Sequence, residues 1–255
     1  MSLEFLIEFL IGGITVHSFS RQIMAKQEAK KIIGDAISSG RKSLLEPDAL
    51  ELLKAFGIPV SEYIIVHDAA EAKDAADKIG YPVVLKVVSR DILHKTEAGG
   101  VMAGLKNAQE VEDSFNEMIF ELSDHYATAK IEGFLIERMV DKGVEVIVGG
   151  VRDAQFGPAV MFGIGGVIVE LLKDVSFRLA PVTKEECLEM VKEIKAYPLL
   201  TGYRGSGIVN LDAISDVIIK IGSIMEELEE IKEMEINPLI AYPDGVIAVD
   251  ARIML

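Results

Sequence analysis

The chain has 255 residues, 50% of them apolar, with one cysteine, a formal net charge of -15 and a pI near 4.8. This is enough apolar material for a sizeable core, as one large domain or two small lobes. The acidic balance repels phosphate backbones and argues against nucleic acid as a partner. Cys187 on its own allows neither an intrachain disulfide nor a cysteine metal cluster, so a reducing, cytoplasmic setting is expected. An anionic ligand would have to be held by local groups, such as helix starts and glycine loops that present backbone N–H.

Residues 3–16 are nearly all apolar apart from Glu4 and Glu8. Early negative charge does not suit a signal peptide, and about fourteen residues are too few to cross a bilayer. Residues 1–23 are read as a leader of uncertain origin, from an upstream start codon or a non-native stretch. The rival reading is a partner-docking or core helix. No other segment resembles a membrane span. A polar helix follows over 25–37, and another over 46–56, with Pro47 in its first turn and Gly57 just past its end. A strand is predicted over 62–66, a helix over 68–79 capped by Asp68, and an apolar strand over 83–88 interrupted only by Lys86. After a loop (89–100) come a strand (101–105), a helix (107–122) capped by Asn107, and a strand (134–139). Strands over 145–152 and 159–162 follow. Then come a helix over 183–195 with the capping-box pair Thr183 and Glu186, and a long helix over 211–230. The chain ends in a hairpin, 234–241 and 246–253, turned at Asp244-Gly245.

Helices and strands alternate first and strand pairs come later. The fold class expected is therefore α/β (α+β) in two lobes. The small lobe spans roughly 60–137 and the larger one 138–255, with the helices of 24–59 packing on the larger lobe.

Five features carry chemistry. Lys86 sits inside a buried strand, where its charge needs a partner, either a structural carboxylate or a ligand phosphate. The segment 89–100 offers glycines (Gly99, Gly100) that let backbone N–H groups approach phosphate oxygens, with Ser89, Arg90, Lys95 and Thr96 around them. It is not a Walker motif and opens no helix. His94, in the same loop, can act as nucleophile, base or metal ligand, or be an ordinary surface residue. Glu137 and Glu145 flank a hinge between two strands. They present carboxylates to a ribose or a base, or merely line a solvated turn. Glu235 and Asn237 fall on one strand face, and Asp250 returns on the neighbouring strand. Such oxygen donors suit Mg²⁺, which keeps waters and borrows phosphate oxygens. Two further glycine runs, before Glu170 and around Arg204, complete the inventory with Arg178. Either arginine can neutralise phosphate or pair with one of the 41 acidic residues.

Taken together the motifs resemble those of the ATP-grasp family, and within it the β subunits of ADP-forming acetyl-CoA synthetases. The resemblance runs from about residue 46 to the end. It rests on Gly-Tyr-Pro-Val-Val-Leu-Lys at 80–86, His-Lys-Thr-Glu-Ala-Gly-Gly-Val at 94–101, Phe-Gly-Pro-Ala-Val-Met-Phe-Gly at 156–163 and Glu-Ile-Asn-Pro-Leu at 235–239. It implies an ATP-grasp fold whose two lobes hold ATP or ADP. Lys86 is then at the phosphates, Glu137 and Val140 at the adenine hinge, Glu145 at the ribose, and Asn237 and Asp250 on Mg²⁺. It makes His94 a phosphoryl carrier, assisted by Glu235. It implies an α subunit with the CoA-binding domain and a second reactive histidine, in an expected α2β2 assembly. The rival readings are an ATP-grasp ligase that makes an acyl phosphate directly, and a non-catalytic ATP-binding module. The acyl substrate is not legible.

Overall fold

The computed structural model describes residues 16–92, 94–166, 174–203 and 207–255, and of 16–23 only the backbone. The leader reading therefore falls almost wholly outside the described residues, as do Glu170 and Arg204. Helix α1 (Val16–Ser38) starts upstream of the predicted position. Helix α2 (Glu46–Ala55) has Pro47 in its first turn, and Gly57, at φ 72°, returns its N–H to the Lys54 carbonyl at 2.9 Å.

A four-stranded antiparallel sheet follows. It comprises β1 (Tyr63–Val66), β2 (Val83–Ser89), β3 (Val101–Leu105) and β4 (Ile131–Arg138), in the order β1-β4-β2-β3. Helices α3 (Ala69–Ile79) and α4 (Ala108–His125) cover one face of it. Each is capped as the sequence predicts: Asp68 accepts from the Glu71 N–H at 2.8 Å and Asn107 from the Glu110 N–H at 3.0 Å. Strand alternation decides what the other face carries. Val83, Leu85 and Val87 enter the helix-covered core, so Lys86 points away from it.

The second sheet has six strands: β5 (Val144–Asp153), β6 (Gly157–Ile164), β7 (Val175–Leu179), β8 (Glu233–Ala241), β9 (Val246–Ala248) and β10 (Ala251–Met254). Its order is β10-β8-β5-β6-β7, with β9 also on β8. Helices α5 (Lys184–Glu193), α6 (Tyr197–Leu200) and α7 (Leu211–Glu227) accompany it. The core under this sheet joins Val148, Val160 and Phe162 to Ile218, Ile221 and Met225 of α7, and takes in Ile33 of α1 and Leu50 and Leu53 of α2.

Two details depart from the sequence reading. Val-Ser-Phe-Arg-Leu at 175–179 forms the edge strand β7, which the pattern did not predict. The last hairpin arm is broken, with Val249 and Asp250 between β9 and β10. Opposite that break β8 bulges: Val146 faces Leu239 but Val148 faces Ile236, so Asn237 and Pro238 share one β5 position. Pro238 has no N–H for the ladder. Instead the Asn237 N–H reaches the Asp250 carbonyl at 3.1 Å, and the Val249 N–H reaches the Pro238 carbonyl at 3.1 Å.

Candidate active site

The site forms where β2 faces the start of α2 and the β9–β10 break. Lys86 is buried at 4% exposure. Its Nζ donates to Glu46 Oε1 at 2.9 Å and to the Val249 carbonyl at 2.9 Å, and lies 2.5 Å from Glu137 Oε2. Burial pulls its pKa down, but the charges of Glu46, Glu137 and Asp250 overcome burial and raise it, so the ammonium persists. Its charged partners within the chain are thus carboxylates. Glu137 is no solvated turn residue. It is 1% exposed and stands on β4 across from Val84, diagonal to Lys86, and its oxygens have no hydrogen-bond geometry to any described group. Burial therefore pushes its carboxyl up in spite of Lys86.

Glu46 is the residue sequence reading missed. It sits in the first turn of α2, 8% exposed, and its second oxygen pairs with Lys95 of the loop. Burial works to raise its pKa, yet Lys86 and Lys95 together hold the carboxyl below its ordinary value. Lys95 also reaches Asp250, at 3.2 Å from Oδ1 and 3.1 Å from Oδ2. Burial and the Glu46 charge push Asp250 up, against Lys95 and Lys86. An acidic residue opening a helix is so common that Glu46 gave no sequence signal of this role.

Beside this cluster lies a cleft of about 330 Å³, lined by His94, Ser89, Lys95, Glu46, Glu235, Asn237 and Asp250. Six of the residues singled out from sequence thus meet in one place. β8 supplies the polar side: Met234 and Ile236 are buried in the core, while Glu235 and Asn237 alternate toward the cleft. Burial raises the Glu235 carboxyl, with Arg252 opposing and Glu233 and Asp250 adding to the rise. His94 is exposed on its loop.

Other expectations need correction. Arg178 is not a cleft residue. It lies across from Val160, on the helix-covered face of the sheet, and forms an ion pair with Glu193 of α5. Gly99 and Gly100 do not offer free amides. Gly100 N–H donates to the Lys95 carbonyl at 2.7 Å and Gly99 N–H to the Thr96 carbonyl at 3.3 Å, closing the loop on itself. What Gly100 requires is room: a Cβ there would come 2.5 Å from Val87 Cγ1. Arg90 is paired with Glu132, and the Ser89 hydroxyl donates to the Lys130 carbonyl at 2.8 Å. Val140 is half-buried and Glu145 exposed, both outside the cleft lining. Glu145 faces the other glycine turn: its carbonyl accepts from Gly165 at 2.7 Å, and a Cβ on Gly166 would come 2.7 Å from its Oε2.

Among the described residues no three His, Cys, Asp or Glu side chains form a metal-holding group. The fit to Mg²⁺ therefore rests on Asn237 and Asp250, two oxygen donors beside each other, with room in the cleft for waters and phosphate oxygens. Asp250 already carries a cationic group, the Lys95 ammonium. That donor set suits a hard divalent cation.

Comparison with known proteins identifies the family of the fold. A sequence model described as an ATP-grasp domain matches residues 35–255. The chain is 51% identical over 228 residues to the β subunit of acetate–CoA ligase (ADP-forming) I of Pyrococcus furiosus, covering 89% of this chain and 98% of that one. It is 44% identical over 230 residues, 90% of its own length, to acetate–CoA ligase (ADP-forming) I of Archaeoglobus fulgidus, and spans 33% of that longer chain. Among solved structures it matches the dinucleotide-forming acetyl-coenzyme A synthetase 1 of Ca. Korarchaeum cryptofilum, in complex with coenzyme A and Mg-AMPPCP. There the TM-score is 0.79 and the identity 44%, covering 89% of this chain and 99% of that one. The phosphohistidine segment of that enzyme points towards its nucleotide-binding site.

Proposed function

Because the chain belongs to the ATP-grasp family and, within it, to the β subunits of ADP-forming acetate–CoA ligases, we propose that it binds the nucleotide and carries the phosphoryl group for such a ligase. The reaction converts acyl-CoA, ADP and phosphate into carboxylic acid, CoA and ATP, reversibly. The observation that carries the reading is the meeting of His94 with Glu235, Asn237 and Asp250 around one cleft.

In the proposed sequence a partner α subunit holds the CoA-binding domain and forms the acyl phosphate and its own phosphohistidine. A neutral imidazole nitrogen of His94 attacks that phosphorus, forming a P–N bond as the partner's P–N bond breaks. An oxygen of the ADP β-phosphate then attacks, and His94 leaves as neutral imidazole. Such transfer needs positioning and charge neutralisation more than covalent chemistry. Lys86 supplies positive charge toward the phosphates once they displace part of its carboxylate shell. Glu235, with its raised pKa, orients the imidazole across the cleft. Asn237 and Asp250 would hold Mg²⁺, which neutralises phosphate charge when bound. Glu137 and Val140 at the hinge, and Glu145 beside Gly166, are assigned to the adenine and ribose. The lobes are assigned to 60–137 and 138–255, the assembly is α2β2 and the setting cytoplasmic. No described helix is long and apolar enough to cross a membrane.

Incubation of the reconstituted two-subunit enzyme with γ-labelled ATP tests this. We expect an acid-labile, base-stable label on this chain that disappears in His94→Ala. No label on the complete wild-type enzyme would overturn the carrier role and favour a ligase that makes its acyl phosphate directly.

A further inference from the structure

Lys95 follows directly after His94, on a segment that folds mainly on itself. Ala98 N–H donates to the His94 carbonyl at 3.1 Å and Gly100 N–H to the Lys95 carbonyl at 2.7 Å. Bonds of this kind fix the shape of the segment but not its place. Among the described residues, the only side-chain hydrogen bonds and ion pairs that leave 94–100 are those of Lys95 to Glu46 and Asp250. The seat of His94 over the cleft therefore depends on what holds the Lys95 ammonium.

The two carboxylates that hold it are not equivalent. Asp250 is assigned above to the divalent cation, and its oxygens lie 3.1 and 3.2 Å from Lys95 Nζ. Glu46 carries no metal assignment and is fixed to the larger lobe. Leu44 N–H donates to the Ile253 carbonyl at 2.9 Å, and Leu44, Ala49 and Leu50 join the core there. Glu46 is 8% exposed and divides its carboxylate, with Oε1 on Lys86 at 2.9 Å and Oε2 on Lys95. The proposed transfer needs His94 and the cation in the cleft together. When the cation takes Asp250, the Glu46 oxygen is still there for Lys95.

We infer that Glu46 is a positioning residue that, through Lys95, seats the His94 segment over the cleft and so leaves Asp250 open to the cation while the histidine is in place. The inference deepens the proposed function and rests on its carrier and metal assignments. One carboxylate thereby spaces two parts of the transfer. Its Oε1 places the Lys86 ammonium that serves the phosphates, and its Oε2 places the histidine that exchanges the phosphoryl group with them. Parting of Lys95 from Glu46 is then the step that lets the segment leave for the partner subunit. Neither Glu46 nor Lys95 touches the reacting atoms in this role.

Two measurements test this. The first is the rate at which γ-labelled ATP with Mg²⁺ labels His94 in the reconstituted two-subunit enzyme. In Lys95→Met the rate at saturating ATP should fall about tenfold or more while the KM for ATP holds, because the histidine is misplaced and the nucleotide is not. Lys95→Arg should recover most of the rate. Glu46→Gln should lower it, and adding Lys95→Met to Glu46→Gln should lower it no further, since both cut one link. The second is amide hydrogen exchange of Ala98, Gly99 and Gly100 in the full-length chain without nucleotide. Lys95→Met and Glu46→Gln should each accelerate it about tenfold or more. Asp250→Asn should leave it slow, as should saturating Mn²⁺ on the wild type, because Glu46 keeps its hold. A KM that rises with the saturated rate unchanged would make Lys95 a phosphate contact and overturns the inference. Exchange in Asp250→Asn as fast as in Lys95→Met would make Asp250 the post and overturns it too. A labelled wild type with unaltered variants sinks this inference alone, whereas an unlabelled wild type sinks the carrier reading and this inference with it.

Discussion

Replacing Lys86 by Met tests the reading of the buried cluster by charge arithmetic. Three carboxylates face two ammonium groups, an excess of one negative charge, 3 − 2 = 1. Lys86→Met keeps the volume of the side chain but leaves three carboxylates with Lys95 alone, an excess of two. Lys86 is 4% exposed and Glu137 1%, so solvent cannot take over the missing charge. Removing one member of such a buried pair costs about 3–5 kcal/mol. For a chain of this size, with about 2–4 °C per kcal/mol, the melting temperature should fall by roughly 6–20 °C. The loss should depend on pH in a definite direction. Burial already raises Glu137 and Asp250, and removing Lys86 raises them further. Between the unfolded and folded pKa values of these groups, the native state binds more protons than the unfolded state. Stability of the variant therefore rises as pH falls. Urea unfolding at about pH 7.5 and about pH 5.5, against the ordinary carboxyl range near 4, should show a smaller deficit at the lower pH. The double variant Lys86→Met with Glu137→Gln removes one carboxylate with the lysine and should recover about half the loss or more. A single variant within about 1 kcal/mol of wild type at both pH values, or a double variant less stable than the single, would refute the reasoning.

Two further outcomes follow from the same geometry. Asn237→Ala and Asp250→Ala should each abolish Mg²⁺-dependent turnover of the two-subunit enzyme while far-ultraviolet circular dichroism stays native; full activity in both would remove them from the metal. Gly100→Ala forces a methyl to within 2.5 Å of Val87 Cγ1. Overpacking of this kind costs about 1–3 kcal/mol, so the urea midpoint should fall and phosphoryl label on His94 should drop with it; an unchanged midpoint would show that the loop has more freedom than its packing against β2 implies.

The period-two strands and the capped helices were legible because each is written locally. Asp68, Asn107 and Thr183 cap where predicted, and Leu85 and Val87 alternate with Lys86 as a strand must. Residues carried on adjacent strands were also legible: Glu235 and Asn237 share a face, and Asp250 meets Asn237 through the bulge. What was hidden depends on distance in sequence. Glu46 meets Lys86 across 40 positions and Lys95 across 49, and nothing in its neighbourhood marks it. Strand β7 was missed because an edge strand of five residues buries too little to show a pattern. Arg178 misled for a related reason. Its charge was legible, but the face it points to is set by pairing with β6, and with 41 acidic residues in the chain a partner is near almost anywhere.

The loop bearing His94 is moored at both ends. Ser89 closes β2, and the Gly100 carbonyl accepts the Val87 N–H at 2.9 Å, so the two moorings lie side by side on one sheet. His94 is 94 − 89 = 5 residues from the first mooring. A fully stretched chain covers at most about 3.3–3.6 Å per residue, so the histidine swings on an arm no longer than about 18 Å. On the proposed reading, that radius is a ruler for the whole assembly. Both donor and acceptor of the phosphoryl group must lie inside a sphere of that size, enlarged only by the imidazole itself, centred on the end of β2. A partner whose own histidine stays farther away cannot be served, however well the two surfaces match.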